Sequence, residues 1–113
     1  MMPNPGDIVT LDFPGATGVK RRPAVVVSSD IYHQNRPDII LGVITSQVAD
    51  ATTPTDYILR DWTAAGLRRQ SAFRAFLVTM PAAAATFIGR CTAYDWNAIQ
   101  RCVSLALAST SAE

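Results

Sequence analysis

The chain has 113 residues, with ten Lys plus Arg, nine Asp plus Glu and a formal net charge of +1. This length is typical of one domain, which we expect to cover residues 1–113; it excludes a two-domain enzyme and leaves little interior for a large cofactor. The near-neutral charge excludes a general attraction to nucleic acid or membrane, so any site for a polyanion has to be local.

Residue types that carry common catalytic chemistry are scarce. The only histidine is His33, and the two cysteines, Cys91 and Cys102, have no histidine near them in sequence. This pattern predicts no metal site, and the motifs of P-loop enzymes and serine hydrolases are missing from the sequence. No apolar run approaches the roughly 18 residues of a membrane span, and the N-terminus lacks a secretory signal. We therefore expect a cytoplasmic protein with reduced thiols, no cofactor and no membrane partner.

The first half of the chain predicts three strands. Residues 7–13 alternate polar and apolar side chains and end at a Pro-Gly turn, which is typical of a half-buried strand. Residues 15–22 contain two glycines and a basic triplet, which predicts a mobile surface loop. The apolar runs 24–27 and 39–45 predict buried strands, with Gly42 marking a bulge or a close backbone approach.

The second half predicts two more strands and a terminal helix. Residues 57–59 and 71–80 have strand composition, whereas residues 81–87 predict a short helix stopped by Gly89. A helix from Thr92 to about Ser109 is indicated by a Thr-x-x-Asp start and by apolar residues every three or four positions. The fold class is therefore α+β and dominated by β: a small, mostly antiparallel barrel or curled sheet packed against the terminal helix.

A guanidinium and a hydroxyl stand at the ends of two predicted strands. Arg22 directly precedes one buried strand, and Thr45-Ser46 ends the next. In an antiparallel arrangement these positions lie side by side, and an arginine beside a hydroxyl suits a phosphodiester. The alternative is a solvated turn and an ordinary strand end.

Residues 60–74 carry a local net charge of +3, whereas residues 1–59 sum to −2. This surplus either follows an RNA backbone or belongs to a solvated loop. Trp62, beside these arginines, is either a core anchor or a platform for a base. Tyr32 and His33 indicate a polar turn beside the core more than a catalytic pair.

The chain resembles the MazF/PemK family of type II toxins. The resemblance is carried by Gly6-Asp7-Ile8-Val9, by Lys20-Arg21-Arg22-Pro23 with the Ala-Val-Val-Val run after it, and by Ile44-Thr45-Ser46. A weaker block comprises Gly66-Leu67, Ser71-Ala72-Phe73-Arg74 and Thr79. Together these blocks cover about residues 6–92.

The resemblance implies an SH3-like barrel with a C-terminal helix, forming a homodimer that binds single-stranded RNA across its interface. It also implies a cognate antitoxin partner, and metal-independent cleavage by the ribose 2′-hydroxyl that leaves 2′,3′-cyclic phosphate and 5′-hydroxyl ends. By motif position, Arg22 and Thr45 are the expected catalytic residues. The expected RNA-binding residues are Lys20, Arg21, Ser46, Gln47, Arg68, Arg69 and Arg74.

The sequence also departs from the family's pattern. The segment before Arg22 is short and lacks an acidic residue, and Phe76-Leu77 stands where many members have a charged Asp-Lys pair. Two other functions remain open: a gyrase poison like the CcdB relatives, and a barrel kept only as a protein-binding module. The gyrase poisons need a Trp-Gly-Ile ending, whereas this chain ends Ser-Thr-Ser-Ala-Glu.

Overall fold

The computed structural model describes residues 2–108. In that part of the chain six strands and two α-helices follow one another as β1 (Asp7–Gly15), β2 (Gly18–Val26), α1 (Asp30–Asn35), β3 (Asp38–Thr45), β4 (Asp56–Ile58), β5 (Ala72–Pro81), β6 (Thr86–Arg90) and α2 (Ala93–Ala106). Two short 3-10 turns lie at Val48–Asp50 and Ala82–Ala84. Within residues 2–108 no helix has the length and apolarity needed to cross a membrane.

The six strands form one curled sheet in the order β4-β5-β3-β2-β1-β6. Every pairing is antiparallel, and α2 packs against one side of the sheet. The predicted class is therefore confirmed: a β-dominated α+β fold in which a half-barrel carries a C-terminal helix.

The sheet has two apolar faces because successive strand residues point to opposite sides. The helix-facing core joins Ile8, Val25, Ile44 and Phe73 to Ile99 of α2. The core on the opposite side of the sheet is formed by strand residues whose side chains point the other way: Val9, Leu11, Ala24, Val26, Ile39 and Leu41. Ala82 of the second 3-10 turn and Ala85 after it pack against this second core.

Two glycines make room for close neighbours in the sheet. The turn at residues 62–66 crosses onto β6, where a Cβ on Gly89 would lie 2.0 Å from the Ala65 carbonyl oxygen. In β3, a Cβ on Gly42 would lie 2.1 Å from the Phe73 ring, and the register of β3 with β5 shifts just after it. The prediction that Gly42 marks a bulge or close approach is confirmed.

The predicted mobile loop at residues 15–22 is wrong. β2 begins at Gly18, and Lys20, Arg21 and Arg22 pair with Phe13, Asp12 and Leu11 of β1. Gly18 has φ of +122°, so the turn closes within two residues and the ladder continues through the basic triplet. The result is a hairpin arm that extends beyond the body of the sheet.

The predicted helix at residues 81–87 is also wrong beyond its first turn. After the 3-10 turn at Ala82–Ala84, residues 86–90 form β6 and pair with the free edge of β1. Alanine favours a helix locally, but ladder hydrogen bonds along β1 outweigh that preference. The start of α2 is as predicted, since the Thr92 hydroxyl accepts from the Asp95 N–H. The helix ends at Ala106, and Ser109 lies outside the described residues.

Candidate functional site

A groove of about 1010 Å³ opens where the hairpin arm leaves the sheet. The last β2 to β3 pair is Ala24 with Val43, whereas β2 stays paired with β1 out to Gly18. The arm forms one wall of the groove, and β3 with β5 forms the other. The lining residues are Phe13, Pro14, Arg22, Val43, Thr45, Thr53, Thr55, Asp56, Arg74, Ala75, Phe76, Val78, Thr79 and Met80.

Arg22 and Thr45 both line this groove. Continuing the register from the Ala24 to Val43 pair by two residues brings Arg22 opposite Thr45 on the same face, and both line the groove. That the two side chains lie side by side stays a prediction, and the structure places both on the wall of one groove. The Thr45 Oγ1 accepts from the Gln47 N–H at 3.0 Å, which orients the side chain and leaves its O–H as a donor. Among residues 2–108, Arg22 makes no ion pair.

A second arginine of the groove is held by a carboxylate. The Arg74 Nε lies 3.5 Å from the Asp56 Oδ1, and the Asp56 side chain is only 4% exposed. Burial acts to raise the pKa of Asp56, but hydrogen bonds from Thr53 and the Arg74 guanidinium outweigh it, so the pKa is lowered. Asp56 is therefore ionised at neutral pH and offsets Arg74, which leaves Arg22 as the uncompensated charge of the groove.

The basic triplet is divided between the two faces of the hairpin arm. Arg21 points away from the groove, pairs with Asp12 at 3.2 Å and donates to the Thr86 Oγ1 at 2.9 Å. Lys20 is exposed and shares the face of Arg22 by strand alternation. The structure thus brings Lys20 and Arg22 together and separates Arg21 from them.

The other predicted RNA-binding residues are distributed unevenly. Arg74 lines the groove, and Ser46 and Gln47 are exposed immediately after Thr45. Arg68 and Arg69 are exposed on the turn before β5 and are not part of the groove wall. Trp62 packs against the helix-facing core, as its core interpretation predicted.

Several residues that line the groove were not predicted from the sequence. Thr53 and Thr55 come from the polar segment before β4, and Asp56 is the first residue of β4; the composition of this region gives no sign of its position. Phe76 and Val78 follow Arg74 at alternate positions of β5. The period of two was the available signal for these, but it identifies a face only after one member of the row has been placed.

Asp95 organises the segment that leads out of β4. It is fully buried in the first turn of α2 and accepts from the Arg60 N–H at 3.0 Å, the Asp61 N–H at 2.8 Å and the Tyr57 hydroxyl. Burial, together with Asp95, raises the pKa of Tyr57. Arg60 is engaged locally, with its guanidinium 3.5 Å from the centre of the Tyr94 ring and paired to Asp61 at 3.0 Å.

The single histidine has a structural environment. The His33 Nε2 lies 2.6 Å from the Ser28 Oγ, which also accepts from the Ile40 N–H at 3.0 Å. Ser28 is 4% exposed. The prediction of a polar turn beside the core is therefore confirmed. Cys91 and Cys102 are free and buried, as predicted, and burial raises the pKa of Cys91 to about 12.

The half-barrel with its terminal helix is a fold that the protein shares with several solved structures. The fold is similar to an endoribonuclease in complex with its cognate antitoxin from a mycobacterial species, with a TM-score of 0.74, 18% identity, and coverage of 96% of this chain and 99% of that one. A chain of the MazE–MazF complex of Deinococcus radiodurans has a TM-score of 0.73, 19% identity, and coverage of 94% and 97%. For the Mycobacterium tuberculosis toxin MazF-mt6 the values are 0.67, 17%, 87% and 93%.

Residues 4–107 match the family described as PemK-like, MazF-like toxins of type II toxin-antitoxin systems. The chain belongs to this family, because the match covers nearly its whole length. No curated protein matches the sequence.

Proposed function

We propose that this protein is the toxin of a type II toxin-antitoxin pair and a metal-independent, sequence-specific endoribonuclease that acts on single-stranded RNA. The observation that carries the proposal is the uncompensated Arg22 opposite Thr45 in an open groove. A guanidinium and a hydroxyl at one strand end are what a phosphodiester requires: a fork for two phosphate oxygens and a donor that orients the reacting group. Family membership supports the same activity.

In the proposed reaction the ribose 2′-hydroxyl attacks the adjacent phosphorus. The new O2′–P bond forms as the P–O5′ bond breaks, the 2′-hydroxyl proton is released, and the departing O5′ takes up a proton. The products are a 2′,3′-cyclic phosphate and a 5′-hydroxyl. Arg22 stabilises the charge that builds on the phosphate oxygens in the transition state, and Thr45 orients the attacking group or the phosphate.

We further propose that two copies form a homodimer with RNA bound across the interface, and that the antitoxin inhibits the toxin by covering the groove. An extended acidic segment fits this role because it offers carboxylates to Arg22 and Lys20. A related mycobacterial endoribonuclease is described in complex with its cognate antitoxin. These partners imply action in the cytoplasm, where RNA is available.

The test compares two neighbouring arginines. The parent protein, Arg22→Ala and Arg21→Ala are each incubated with a long mixed-sequence RNA in EDTA, and the cut sites and end groups are mapped. Arg21→Ala is the matched control, because it removes the same charge from the face turned away from the groove. We expect kcat/KM to fall at least roughly 100-fold for Arg22→Ala and to change less than about threefold for Arg21→Ala.

The positions of the cuts and the chemistry of the new ends also test the proposal. Cuts at a short recurrent sequence that leave 2′,3′-cyclic phosphate ends in EDTA support the proposed chemistry. Equal cleavage by Arg22→Ala and the parent contradicts the catalytic assignment. Intact RNA with all three proteins, each with a folded circular dichroism spectrum, overturns the endonuclease proposal in favour of a protein target.

A further inference from the structure

Phe76 is an aromatic side chain exposed inside the groove. Its exposure is 67%, whereas the apolar side chains around the second core are mostly covered. It lies on the groove face of β5 between Arg74 and Val78, two residues from each. Its neighbour Leu77 points to the other side and packs against the helix-facing core. The exposure is thus specific to one residue of the Phe76-Leu77 pair that departs from the family's pattern.

A bulge in β5 produces this exposure. Ile44 pairs with Phe73 and Gly42 pairs with Leu77, so residues 74–76 of β5 stand opposite Val43 alone. Extra residues in one strand locally bend it and redirect side chains, and such bulges are common beside active sites. Here the bulge carries Phe76 into the groove wall that faces the hairpin arm.

The side chains around Phe76 are chemically complementary to a nucleotide. The groove combines apolar side chains, including Phe13, Val43 and Val78, with the cationic groups of Arg22 and Arg74. A nucleotide likewise has a flat base and a charged phosphate. Bases of single-stranded RNA stack on exposed aromatic rings while cationic groups hold the backbone. An apolar segment of a protein would bury the guanidinium of Arg22 without a partner, which is unfavourable.

The ring of Phe76 and the guanidinium of Arg22 lie on two walls of the same groove. Phe76 lies on β5 and Arg22 on β2, with β3 between them. Both side chains line the groove that separates the hairpin arm from β3 and β5. If Arg22 holds the scissile phosphate, the ring of Phe76 is within reach of a base next to that phosphate.

We propose that Phe76 is the platform on which a base flanking the scissile phosphate stacks, and that it helps to set the sequence preference of the nuclease. This inference rests on the proposed RNA-cleaving function. Phe76 binds substrate and takes no part in bond making or breaking. Its removal is therefore expected to raise KM and to relax base preference at one position while leaving kcat nearly unchanged.

The experiment uses the full chain with Phe76→Ala, Phe76→Tyr and Phe87→Ala. Phe87 is the matched control, since it is 60% exposed on β6 and is not part of the groove wall. Steady-state cleavage of short RNAs that contain the mapped site, with each flanking base varied in turn, gives KM, kcat and preference. We expect Phe76→Ala to raise KM roughly 10-fold, and Phe76→Tyr and Phe87→Ala to stay within about twofold of the parent.

A second measurement does not depend on cleavage. An oligonucleotide with 2-aminopurine beside the scissile position, and 2′-deoxyribose at that position, binds but offers no attacking hydroxyl. Stacking on Phe76 is expected to quench the aminopurine fluorescence with the parent and Phe87→Ala proteins, and not with Phe76→Ala. Sedimentation of all variants reports their oligomeric state.

The possible outcomes distinguish a failure of the stacking platform from a failure of the proposed RNA-cleaving function. If the parent cuts no RNA, yet quenches through Phe76 the fluorescence of 2-aminopurine placed within a mixed-sequence single strand, the proposed reaction fails and the stacking platform stands. If the parent cuts RNA while Phe76→Ala retains its KM, preference and quenching, the platform is overturned and the nuclease stands. A shift of Phe76→Ala to smaller species, with equal loss on all RNAs, also overturns the platform, because it assigns Phe76 to an interface between copies of the chain.

Discussion

At the scale of single residues, the pairing of Arg74 with Asp56 controls how much positive charge the groove presents. The lowered pKa of Asp56 keeps its carboxylate ionised. The stabilisation from this pair is present above the unfolded carboxyl pKa of about 3.9 and is lost as the pH falls through the lower folded value. At the neutral pH of an RNA assay the pair is therefore intact, and Arg74 is partly neutralised.

Asp56→Asn is expected to strengthen RNA binding. The amide still accepts from the Thr53 N–H, which donates to Asp56 at 3.1 Å, but it no longer offsets Arg74. We expect the Kd of an uncleavable oligonucleotide to fall roughly threefold at low salt, as measured by fluorescence anisotropy. Asp12→Asn is the control, because it releases Arg21 on the opposite face and should leave Kd unchanged. Weaker binding by Asp56→Asn would show that Arg74 faces no phosphate.

The same scale shows where sequence reasoning is limited. The motif Lys20-Arg21-Arg22 identifies a basic segment, and Arg22 and Thr45, which the sequence placed at neighbouring strand ends, line the same groove. The different direction of Arg21 follows from strand alternation, which was not applied because the segment was predicted as a loop. Asp56 was not predicted as part of the site, because its partner is 18 positions away and is brought near only by the β4 to β5 pairing.

At the scale of secondary-structure elements, hydrogen bonds to Asp95 connect the segment after β4 to the start of α2. One carboxylate accepts from two backbone N–H groups, at Arg60 and Asp61, and from the Tyr57 hydroxyl. The Thr92 hydroxyl donates to Asp61 at 2.7 Å and adds a second link between the same elements. Since β4 also carries Asp56, this junction fixes the strand that supplies one wall of the groove.

Asp95→Asn is expected to destabilise the fold by about 3 kcal/mol. An amide has one acceptor oxygen, and its NH₂ group would face a backbone N–H or the Tyr57 hydroxyl, which leaves buried donors unpaired. Urea unfolding followed by tryptophan fluorescence measures the loss, with Asp30→Asn as the control. Asp30 is exposed in the first turn of α1 and should cost less than about 1 kcal/mol. Equal effects of the two substitutions would contradict the junction.

The elements differ in how well the sequence predicted them. β1 and α2 were predicted because their apolar residues repeat with a period of two or of three to four, whereas β3 and β5 were predicted from their apolar, β-branched and aromatic content. β6 was missed because its pairing with β1 is remote in sequence and the alanines before it favour a helix. The arm of β2 was missed because basic residues and glycine indicate a loop unless a partner strand is already known.

At the scale of the whole molecule, a net charge of +1 gives little general attraction for RNA. Affinity must come from the groove and from the few cations beside it. Arg22 and Arg74 line the groove, with Arg74 partly offset by Asp56, and Lys20 shares its face; Arg21, Arg36 and Arg60 are paired with carboxylates outside the groove wall. Arg68 and Arg69 lie on an exposed turn outside the groove wall. This arrangement predicts a small number of phosphate contacts for each protomer.

The number of these phosphate contacts can be measured from the salt dependence of RNA binding. For single strands the slope of log K against log salt is about −0.7 for each neutralised phosphate, so three cations predict a slope of about −2. Anisotropy titrations of a short uncleavable RNA between low and moderate salt give this slope per bound oligonucleotide. The double substitution Arg68→Ala with Arg69→Ala should leave it unchanged, and Arg22→Ala should reduce it by about 0.7. A slope near −3.5 that returns to about −2 in the double variant would instead extend the binding surface onto the turn before β5, and the local surplus of charge at residues 60–74 would then contact the RNA.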